Sequence, residues 1–385
     1  MNADGPVDHA ERVARAALSA LVEPGHTVLM RRVDAAGAEA TLRAIRRGDT
    51  KLDPNHRMRD RLRSGQVDGE EVLATADRLG IGYLCPGEAG WPVALEVMRE
   101  TLDAGADAVP PPLGLWWRGE AELATAAESA VAVVGSRNAT RYGERVAADL
   151  GSDLAMAGWT VVSGAAFGID AASHRGALAM GGTTVAVLAC GVDVAYPKSH
   201  ASLLDRIAAQ GVVLSEMPPG VRPMRSWFLA RNRIIAALSA GSVVVEAAMR
   251  SGALSTAGWA VKLSREVLAV PGPVTSALSA GCHDLVREKG ATLVTDARDV
   301  VDAVGALGAD AVPARRGEDR PFDRLSPVHR RLREAMAVGR TTSVAMLVEA
   351  TSLSAATVRA EMDVLAGAGW VEEDGAGWQL PRGGP

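Results

Sequence analysis

Two turns built from small residues follow apolar, β-branched runs near the middle of the 385-residue chain. The turn residues of interest are Gly135, Ser136, Arg137, Ser163, Gly164, Ala165 and Gly168. Small residues let the backbone approach a ligand closely, and a helix that starts after such a turn offers free N–H groups to an anion. Because Arg137 adds a permanent positive charge, the two turns together predict one phosphate-sized pocket.

Further cations follow the third and fourth apolar runs, and aromatic side chains are interleaved with them. This set comprises Tyr196, Lys198, Arg222, Arg225, Trp227, Phe228, Arg231 and Arg233. Such a combination suits a single nucleic-acid strand, because cations neutralise its phosphates and aromatic faces stack on its bases. Aromatic residues make up only 4% of the chain, so we expect affinity to come mostly from phosphates, with little sequence preference.

Hydrolysis by a serine nucleophile is one alternative chemistry. A triad can be drawn from Ser163, Asp170 and His174. However, Asp170 and His174 are four residues apart at the start of one predicted helix, so they most simply hydrogen-bond each other or cap the turn. No Gly-x-Ser-x-Gly elbow surrounds Ser163.

Two glutamates at predicted strand ends offer a second route to hydrolysis. Glu216 and Glu246 fit the roles of a general acid and a general base. Carboxylates in such places also neutralise neighbouring arginines, and Arg231 and Arg233 are available for that purpose. We therefore assign no catalytic residue and expect a protein that is not an enzyme.

The sequence lacks the motifs typical of cofactor and metal sites. After residue 134 the sequence reads GSRNAT, which is not the Gly-x-Gly-x-x-Gly of dinucleotide sites. The second strand ends in Ser163 and Gly164, where an NAD site needs an acidic residue. The three cysteines, Cys85, Cys190 and Cys282, are far apart, so neither a disulfide framework nor a zinc site is predicted. We expect no cofactor and no metal.

The elements that position the turns alternate between short apolar runs and amphipathic helices. Predicted strands cover residues 130–134, 159–162, 184–188, 212–215, 242–245, 266–269 and 291–294. Predicted helices cover residues 141–157, 169–180, 201–210, 231–239, 255–264 and 282–289. This α/β alternation predicts a Rossmann-like, doubly wound parallel sheet whose ligand lies beyond the carboxyl ends of the strands, at a switch point.

Three domains and a linker are predicted along the chain. Residues 1–104 read as helical, with a short strand at 81–84. Residues 105–305, extended from about 81, read as the Rossmann-like domain with an edge strand at 113–119. Residues 306–324 form a linker rich in Ala, Gly, Pro and Arg. Residues 325–385 predict three short helices at 327–336, 343–350 and 354–366 and a hairpin at 370–380, which is the pattern of a winged helix.

Composition and charge set the class of protein. The net charge is −5, and the basic runs at 43–47 and 57–63 fit solvated helix faces, the more common case for charge runs, with contact to nucleic acid as the alternative. No apolar run is long enough to span a membrane, and the N-terminus lacks the layout of a signal peptide. With unpaired cysteines, these features predict a cytoplasmic protein without membrane contact.

Seven short motifs in order carry a resemblance to a known family. They are GSR at 135–137, SGAAFGID at 163–170, YPK at 196–198, FLARNRIIA at 228–236, VEA at 245–247, SGALSTA at 251–257 and AVPG at 269–272. Together they resemble the DNA-processing protein A family (DprA, also called Smf) over about residues 81–304. The resemblance implies a non-catalytic domain that binds single-stranded DNA, protects it in natural transformation of competent cells, and loads the RecA recombinase onto it.

The resemblance places Arg137, Lys198 and the segment 231–233 in the family's DNA pocket, in agreement with the pocket read from the turns. The DNA-binding set is Gly135, Ser136, Arg137, Ser163, Gly164, Ala165, Gly168, Lys198, Arg225, Phe228, Arg231, Asn232 and Arg233. Family members act as homodimers and often begin with a sterile-alpha-motif-like domain. Leu285, Val286 and Leu293, near the end of the sheet, are candidates for the dimer interface, and packing within the domain is the alternative.

Two other functions stay open at this stage. The sheet is also similar to that of lysine-decarboxylase-like nucleotide hydrolases, whose Pro-Gly-Gly-x-Gly-Thr turn precedes their glutamate. Here the corresponding stretch, residues 249–254, reads MRSGAL and follows Glu246, which disfavours hydrolysis. A transcription regulator led by the winged helix is the other alternative, although Arg359 is the only basic residue of its third predicted helix.

Overall fold

The computed structural model of the chain describes residues 7–305 and 321–381. The chain divides into two compact units, Met1–Val312 and Pro313–Pro385. Residues 306–320 of the predicted linker lie outside the described residues, and its last part, Pro321–Arg324, forms a 3₁₀ turn. No helix in the described ranges is both long enough and apolar enough to cross a membrane.

Between residues 130 and 293 of the first unit, strands and helices alternate in the predicted order, whereas the helices Glu96–Glu100, Leu123–Glu128 and Ala297–Val304 were not predicted. The helices are α1 His9–Leu21, α2 Thr27–Ala36, α3 Ala38–Arg47, α4 Arg57–Arg63, α5 Gly69–Arg78, α6 Glu96–Glu100, α7 Leu123–Glu128, α8 Arg141–Met156, α9 Ile169–Ala179, α10 Ala201–Gln210, α11 Trp227–Leu238, α12 Ala253–Lys262, α13 Ala280–Lys289 and α14 Ala297–Val304. The strands are β1 Gly82–Leu84, β2 Leu115–Gly119, β3 Ala130–Val134, β4 Thr160–Ser163, β5 Thr184–Leu188, β6 Val212–Ser215, β7 Gly241–Val244, β8 Glu266–Ala269 and β9 Thr292–Leu293.

One nine-stranded sheet organises this unit, with strand order β1-β2-β6-β5-β4-β3-β7-β8-β9. The seven strands from β6 to β9 in that order pair in parallel, as predicted. The chain winds outward from β3 in one direction through β4, β5 and β6, and then returns to β7 on the other side of β3. The switch point of the doubly wound sheet therefore lies between β3 and β7.

Both faces of the parallel sheet are covered by helices. Alternate residues of β3 point to opposite layers: Ala132 and Val134 pack with α11, α12 and α13, whereas Val131 and Val133 pack with α8, α9 and α14. All five residues of β3 are buried. A strand buried on both faces needs apolar residues at every position, which is why this run reads as continuously apolar.

The predicted edge strand at residues 113–119 is not at an edge. It forms β2, which lies between β1 and β6 and pairs antiparallel with both. Its Trp116 is fully buried, with its ring centroid 4.3 Å from that of Tyr83 in β1. The edge prediction was wrong because β1 supplies a further strand, so the sheet is mixed at this end.

The N-terminal helices form their own hydrophobic cluster within the first unit. Leu18 of α1, Leu29 of α2 and Ile45 of α3 are fully buried in it. Burial of each such side chain contributes about 1.5–3 kcal/mol to stability. The helical character predicted for this region is therefore confirmed for α1–α5.

The second unit contains the three predicted helices and the hairpin. The helices are α15 Pro327–Glu334, α16 Val344–Thr351 and α17 Ala355–Gly367, and the antiparallel strands are β10 Glu372–Glu373 and β11 Trp378–Gln379. Leu332, Leu347 and Val358, one from each helix, are fully buried together with Trp378 of the hairpin. This small core gives the unit a structure of its own.

Candidate nucleic-acid interface

A pocket of about 440 Å³ opens at the switch point of the sheet. The turns that follow β3, β4 and β7 form its walls, and the first residues of α11 and α12 complete them. Six of the predicted DNA-binding residues line it: Gly135, Ser136, Arg137, Phe228, Arg231 and Asn232. The structure thus brings together residues that are about 100 positions apart in the sequence.

The two small-residue turns are in direct contact, and this contact requires glycine. A Cβ atom added to Gly135 would lie 2.5 Å from the side chain of Ile169 and 2.9 Å from the carbonyl oxygen of Glu246. Gly168 has a φ of +73°, and a Cβ atom there would lie 2.3 Å from the carbonyl oxygen of Ser136. The backbone N–H of Ile169 donates to that same carbonyl at 3.2 Å. Any side chain at either glycine would separate the turns.

Glu246 fixes the first turn from below. Its carboxylate accepts hydrogen bonds from the backbone N–H of Thr140 at 2.9 Å and from the Thr140 hydroxyl at 2.6 Å. Its carbonyl oxygen accepts from the backbone N–H of Ser136 at 2.7 Å. Thr140 in turn caps α8 by accepting from the N–H of Gly143 at 3.1 Å. The carboxylate is 2% exposed and fully engaged, which disfavours its use as a general base.

The three residues of the possible hydrolytic triad have separate partners. The Ser163 hydroxyl donates to the carbonyl of Val133 at 2.6 Å, and the His174 ring pairs through Nδ1 with the Thr184 hydroxyl at 2.7 Å. Burial lowers the pKa of His174 to about 3, so its ring is neutral. Asp170 accepts from the N–H of Ala166 at 3.4 Å, which is the turn-capping alternative expected from the sequence. No nucleophile is activated by this arrangement.

Arg231 forms the floor of the pocket. It is 6% exposed, and its Nη1 donates to the carbonyl oxygens of Gly164, at 2.9 Å, and Val187. Burial lowers the pKa of Arg231 to about 10, an effect opposed by the nearby carboxylate of Asp170. Burial likewise raises the pKa of Asp170, an effect opposed by Arg231. The guanidinium therefore joins the ends of β4 and β5 and leaves a positive field beneath the pocket.

Arg233 lies away from the pocket, although it belongs to the same predicted motif. Its side chain is 1% exposed and donates to Glu216 Oε1 at 2.6 Å, to the Pro110 carbonyl at 2.7 Å and to the Ala230 carbonyl at 3.0 Å. The expectation that a strand-end glutamate neutralises a neighbouring arginine is confirmed for this pair. Because every arm of its guanidinium is engaged, Arg233 holds the segment before β2 against α11 instead of facing a ligand.

The rim of the pocket carries its exposed cation and its aromatic surface. The guanidinium carbon of Arg137 lies 4.9 Å from the ring centroid of Phe228, a cation–π contact. The Tyr196 ring lies 5.3 Å from that of Phe228 and is 43% exposed. Lys198 and Arg225 are exposed on the neighbouring segments, two residues from Tyr196 and from the start of α11 respectively. The rim thus offers positive charge beside open ring faces.

Other predicted site residues lie beneath the pocket surface. Ser163, Gly164 and Ala165 are buried, and a Cβ atom at Gly164 would lie 2.2 Å from the Arg231 guanidinium. Ala165 adopts a φ of +52°, and its carbonyl accepts from the buried His200 ring at 2.9 Å. These residues shape the second turn from within.

The sequence reasoning left part of the pocket wall out of its site list. Asn138, Ser251, Gly252 and Thr256 also line the pocket. The last three follow β7, the strand across the switch point from β3, and the SGALSTA motif at residues 251–257 was the signal that marked them.

The predicted dimer residues differ in their surroundings. Leu285 is buried in the core of its own chain, and Val286 packs partly against the same cluster, whereas Leu293 in β9 is 50% exposed. Packing within the domain therefore accounts for the first two.

Acidic, histidine and cysteine side chains do not gather into a metal site. Over residues 7–305 and 321–381 there is no group of three or more that could hold an ion. Cys190 and Cys282 are buried, and burial raises the pKa of each thiol to about 11. These thiols are protonated at neutral pH and are poor ligands in that form.

Known proteins match most of this chain in sequence. The sequence model of the family DNA recombination-mediator protein A matches residues 83–305. A Mycobacterium tuberculosis protein bearing the name DNA processing protein DprA is 45% identical over 346 residues, which cover 84% of this chain and 87% of that protein. DNA processing protein DprA of Streptococcus pneumoniae is 45% identical over 194 residues, covering 49% of this chain and 66% of that protein.

A solved structure is similar over most of the fold. The X-ray structure of DNA processing protein A from Streptococcus pneumoniae superposes with a TM-score of 0.63 at 31% sequence identity, covering 78% of this chain and 99% of that chain. The matched region of the sequence includes the turns after β3, β4 and β7 and the whole of α11. The chain therefore belongs to the DNA recombination-mediator protein A family.

Proposed function

We propose that this chain is a recombination mediator that binds single-stranded DNA in the switch-point pocket. The observation that carries the proposal is the rim, where Arg137 stacks on Phe228 beside the exposed ring of Tyr196. A phosphate is held by the cation and by the turns of small residues, and the neighbouring bases stack on the open rings.

A single strand fits this rim better than a duplex does. In a duplex the base faces are stacked on one another, so an aromatic side chain has no face to contact without unstacking a base pair. In a single strand each base presents its face at little cost. The pocket contains no element that projects as a reading helix into a groove, so binding with little sequence preference is expected.

The site acts by binding and not by turnover. The carboxylates suited to acid–base chemistry, Glu216 and Glu246, are engaged with Arg233 and Thr140 respectively. Ser163 donates its hydroxyl proton to a backbone carbonyl. We propose that the protein works without a cofactor or metal, and that it performs no chemical step on the strand.

The mediator role adds partners to the strand. We propose that the chain protects incoming single strands in the cytoplasm during transformation and loads the RecA recombinase onto them. The exposed Leu293 at the edge strand β9 is the part of the predicted dimer surface that is open to a second copy. We propose a homodimer through this edge.

The predicted domain division is part of the proposal. Residues 1–104 serve as a sterile-alpha-motif-like helical domain and 105–305, extended from about 81 to include β1, as the DNA-binding domain, with 306–324 as a linker to a winged helix at 325–385. The three helices and the hairpin support the last assignment. Glu361 and Asp363 lie beside Arg359 on α17, so we propose protein docking rather than DNA reading for this module.

A salt titration tests the binding function. Binding of the wild-type chain and of Arg137→Ala to a mixed-sequence single strand and to the matching duplex is measured at several salt concentrations. We expect preference for the single strand, and for Arg137→Ala a salt slope that is shallower by about 0.7, the value for one lost phosphate contact on single strands. Equal binding to both forms, or no effect of the substitution, would contradict the proposal.

Recombinase loading is tested on strands already covered by a single-strand-binding protein. We expect the wild-type chain to raise RecA filament formation on such strands and Arg137→Ala to lose this effect in proportion to its lost affinity. Arg175→Ala is the matched control, because Arg175 is exposed on α9 and lies outside the pocket. Stimulation that is the same in Arg137→Ala would separate recombinase loading from this pocket.

A further inference from the structure

A dense group of cations lies on the N-terminal helices, away from the residues that line the pocket. Residues 43–63 contain eight Lys or Arg and three Asp, in a chain whose net charge is −5. We define the α3–α4 basic face by its exposed cations without an ion pair in the described parts of the chain. They are Arg46, Arg47, Lys51, Arg57, Arg61 and Arg63.

The packing of the two helices fixes the direction of this face. α3 buries Leu42 and Ile45, so Arg46 and Arg47 are left on its solvent side. In α4, Met58 and Leu62 pack against the same N-terminal cluster, which places Arg57 and Arg61, also four residues apart, outward together. The cations are therefore presented on the outside of packed helices.

The connection between the helices is rigid rather than loose. Gly48 ends α3 with a φ of +93°, and the Arg59 guanidinium lies directly over it, 2.9 Å from where a Cβ atom would stand. The buried Asp53 accepts from the backbone N–H of Arg59 at 2.9 Å and so fixes the start of α4. A fixed set of cations loses less entropy on binding an extended anion than a mobile set does.

Favourable interactions with the helix dipoles explain the positions of only some of these cations. Arg46, Arg47, Arg61 and Arg63 lie in last helical turns, where a cation interacts favourably with the helix dipole. Arg57 is the first residue of α4, where the dipole disfavours a cation. Like charges at this spacing also repel one another, so an external anion is the simplest source of compensation.

The N-terminal helices meet the sheet at the edge that carries the pocket. The loop before α2 contributes Pro24 to a small cavity that is also lined by Ala189 after β5, Met217 after β6, and Trp227 and Arg231 of α11. Residues 188–189 and 216–217 are at the carboxyl ends of their strands, as the pocket turns are. The helical region is thus attached on the ligand side of the sheet.

We infer that the α3–α4 basic face is a second phosphate-backbone contact, which holds the part of a DNA strand that extends beyond the switch-point pocket. This inference rests on the proposed function, because the strand is the one the pocket binds. The face lacks exposed aromatic rings between residues 43 and 63, so it binds phosphates and leaves the bases free. Bases left free there remain available for pairing.

Strand length separates the two sites in an experiment. The full chain and the triple variant Arg46→Gln, Arg57→Gln, Arg61→Gln are titrated with a short strand of about 6 nucleotides, which suits one binding site, and with a long strand. We expect unchanged binding of the short strand. For the long strand we expect weaker binding and a salt slope shallower by about 2, the sum for three phosphates.

The control variant removes three arginines elsewhere. Arg175→Gln, Arg206→Gln, Arg298→Gln changes the net charge equally at exposed residues that have no ion pair in the described parts of the chain. Equal loss in both triple variants would show a general charge effect and overturn the inference. Unchanged long-strand binding in the α3–α4 triple variant would overturn it as well. The face would then be assigned to binding of an acidic protein instead of DNA.

A pocket-defective background keeps this test separate from the proposed function. In Arg137→Ala, residual binding of the long strand is expected to fall further when the three α3–α4 arginines are also replaced. One outcome is that Arg137→Ala binds both strands as the wild type does, while the α3–α4 triple variant binds the long strand more weakly. That outcome would contradict the proposed pocket and support the second contact. If the added substitutions change nothing in this background, the second contact fails.

Discussion

The floor and the rim of the switch-point pocket use the same residue type for opposite purposes. Arg231 forms the floor, and Arg233 lies beside it in α11, away from the pocket. Both are nearly fully buried, and their guanidinium groups donate to backbone carbonyls, to Asn232 and to Glu216. On the rim, Arg137 is exposed and lies over the face of Phe228, and its side chain has no hydrogen bond or ion pair within residues 7–305 and 321–381. The floor holds strand ends together, whereas the rim is free to bind a phosphate.

This difference shows what a basic motif means in a folded chain. From the sequence alone, the Arg-Asn-Arg segment at residues 231–233 offers two arginines that could each bind a phosphate. In the helix the two arginines point to different partners, and the second is directed into the interior by α11. Substitutions on the floor should therefore change stability first, and substitutions on the rim should change binding alone.

The largest expected effect is at Arg233, the buried arginine next to the floor. Arg233→Ala leaves the Glu216 carboxylate buried without its partner, so we expect a loss of about 3–5 kcal/mol in the free energy of unfolding. Chemical denaturation measures it. Arg225→Ala, an exposed arginine of the rim, is the control and should change stability by less than about 0.5 kcal/mol. Similar stability of the two variants would break the comparison between floor and rim.

A smaller loss is expected when the support of the first turn is removed. Glu246→Ala deletes the acceptor of two hydrogen bonds from Thr140, and we expect a loss of about 2–3 kcal/mol in the free energy of unfolding. The same variant tests hydrolysis, since a catalytic Glu246 would instead show loss of nucleotide turnover in a folded protein. Turnover by the wild type that disappears in this variant at unchanged stability would favour the hydrolase alternative.

The buried histidine of α9, His174, gives the stability of the fold a pH dependence. The pKa of His174 is about 3 in the folded state and about 6.5 in an unfolded chain, so below pH 6.5 the unfolded state binds the extra proton. Stability is therefore lost as pH falls from 6.5 towards 3, by at most about 1.4 kcal/mol per pH unit from this group. Denaturation of wild type and His174→Asn between pH 7 and about 5 measures the difference. Parallel curves would show that the pKa of His174 is not lowered in the folded state.

The smallest effect is expected at the outer rim. Lys198 is exposed and has no ion pair within residues 7–305 and 321–381, so Lys198→Gln should leave stability unchanged. Loss of one phosphate contact should make the salt slope for single-strand binding shallower by about 0.7. Arg206→Gln, on the next helix α10, is the matched control. A change in unfolding free energy with no change in binding would show that Lys198 stabilises the fold and does not bind a phosphate.

Much of the fold was predictable because strand burial leaves a strong local pattern. The runs that became β3, β5, β6 and β8 have the boundaries expected from their apolar residues. The start of α11 was placed four residues too late, since Trp227 and Phe228 were read as part of a basic loop. β2 pairs with a strand on each side, but it was predicted to be an edge strand because its outer neighbour, β1, is only three residues long.

The doubly wound sheet, the turns of small residues, and the cations and aromatic rings near them can be read from the amino-acid sequence. These are local properties, set by side-chain size, periodicity and backbone freedom. That Arg137 faces the pocket while Arg233 holds Glu216 follows from the folded structure, because burial and pairing depend on elements distant in the chain. Guanidinium groups of identical chemistry become ligand or scaffold according to which carbonyls and carboxylates the fold brings within reach.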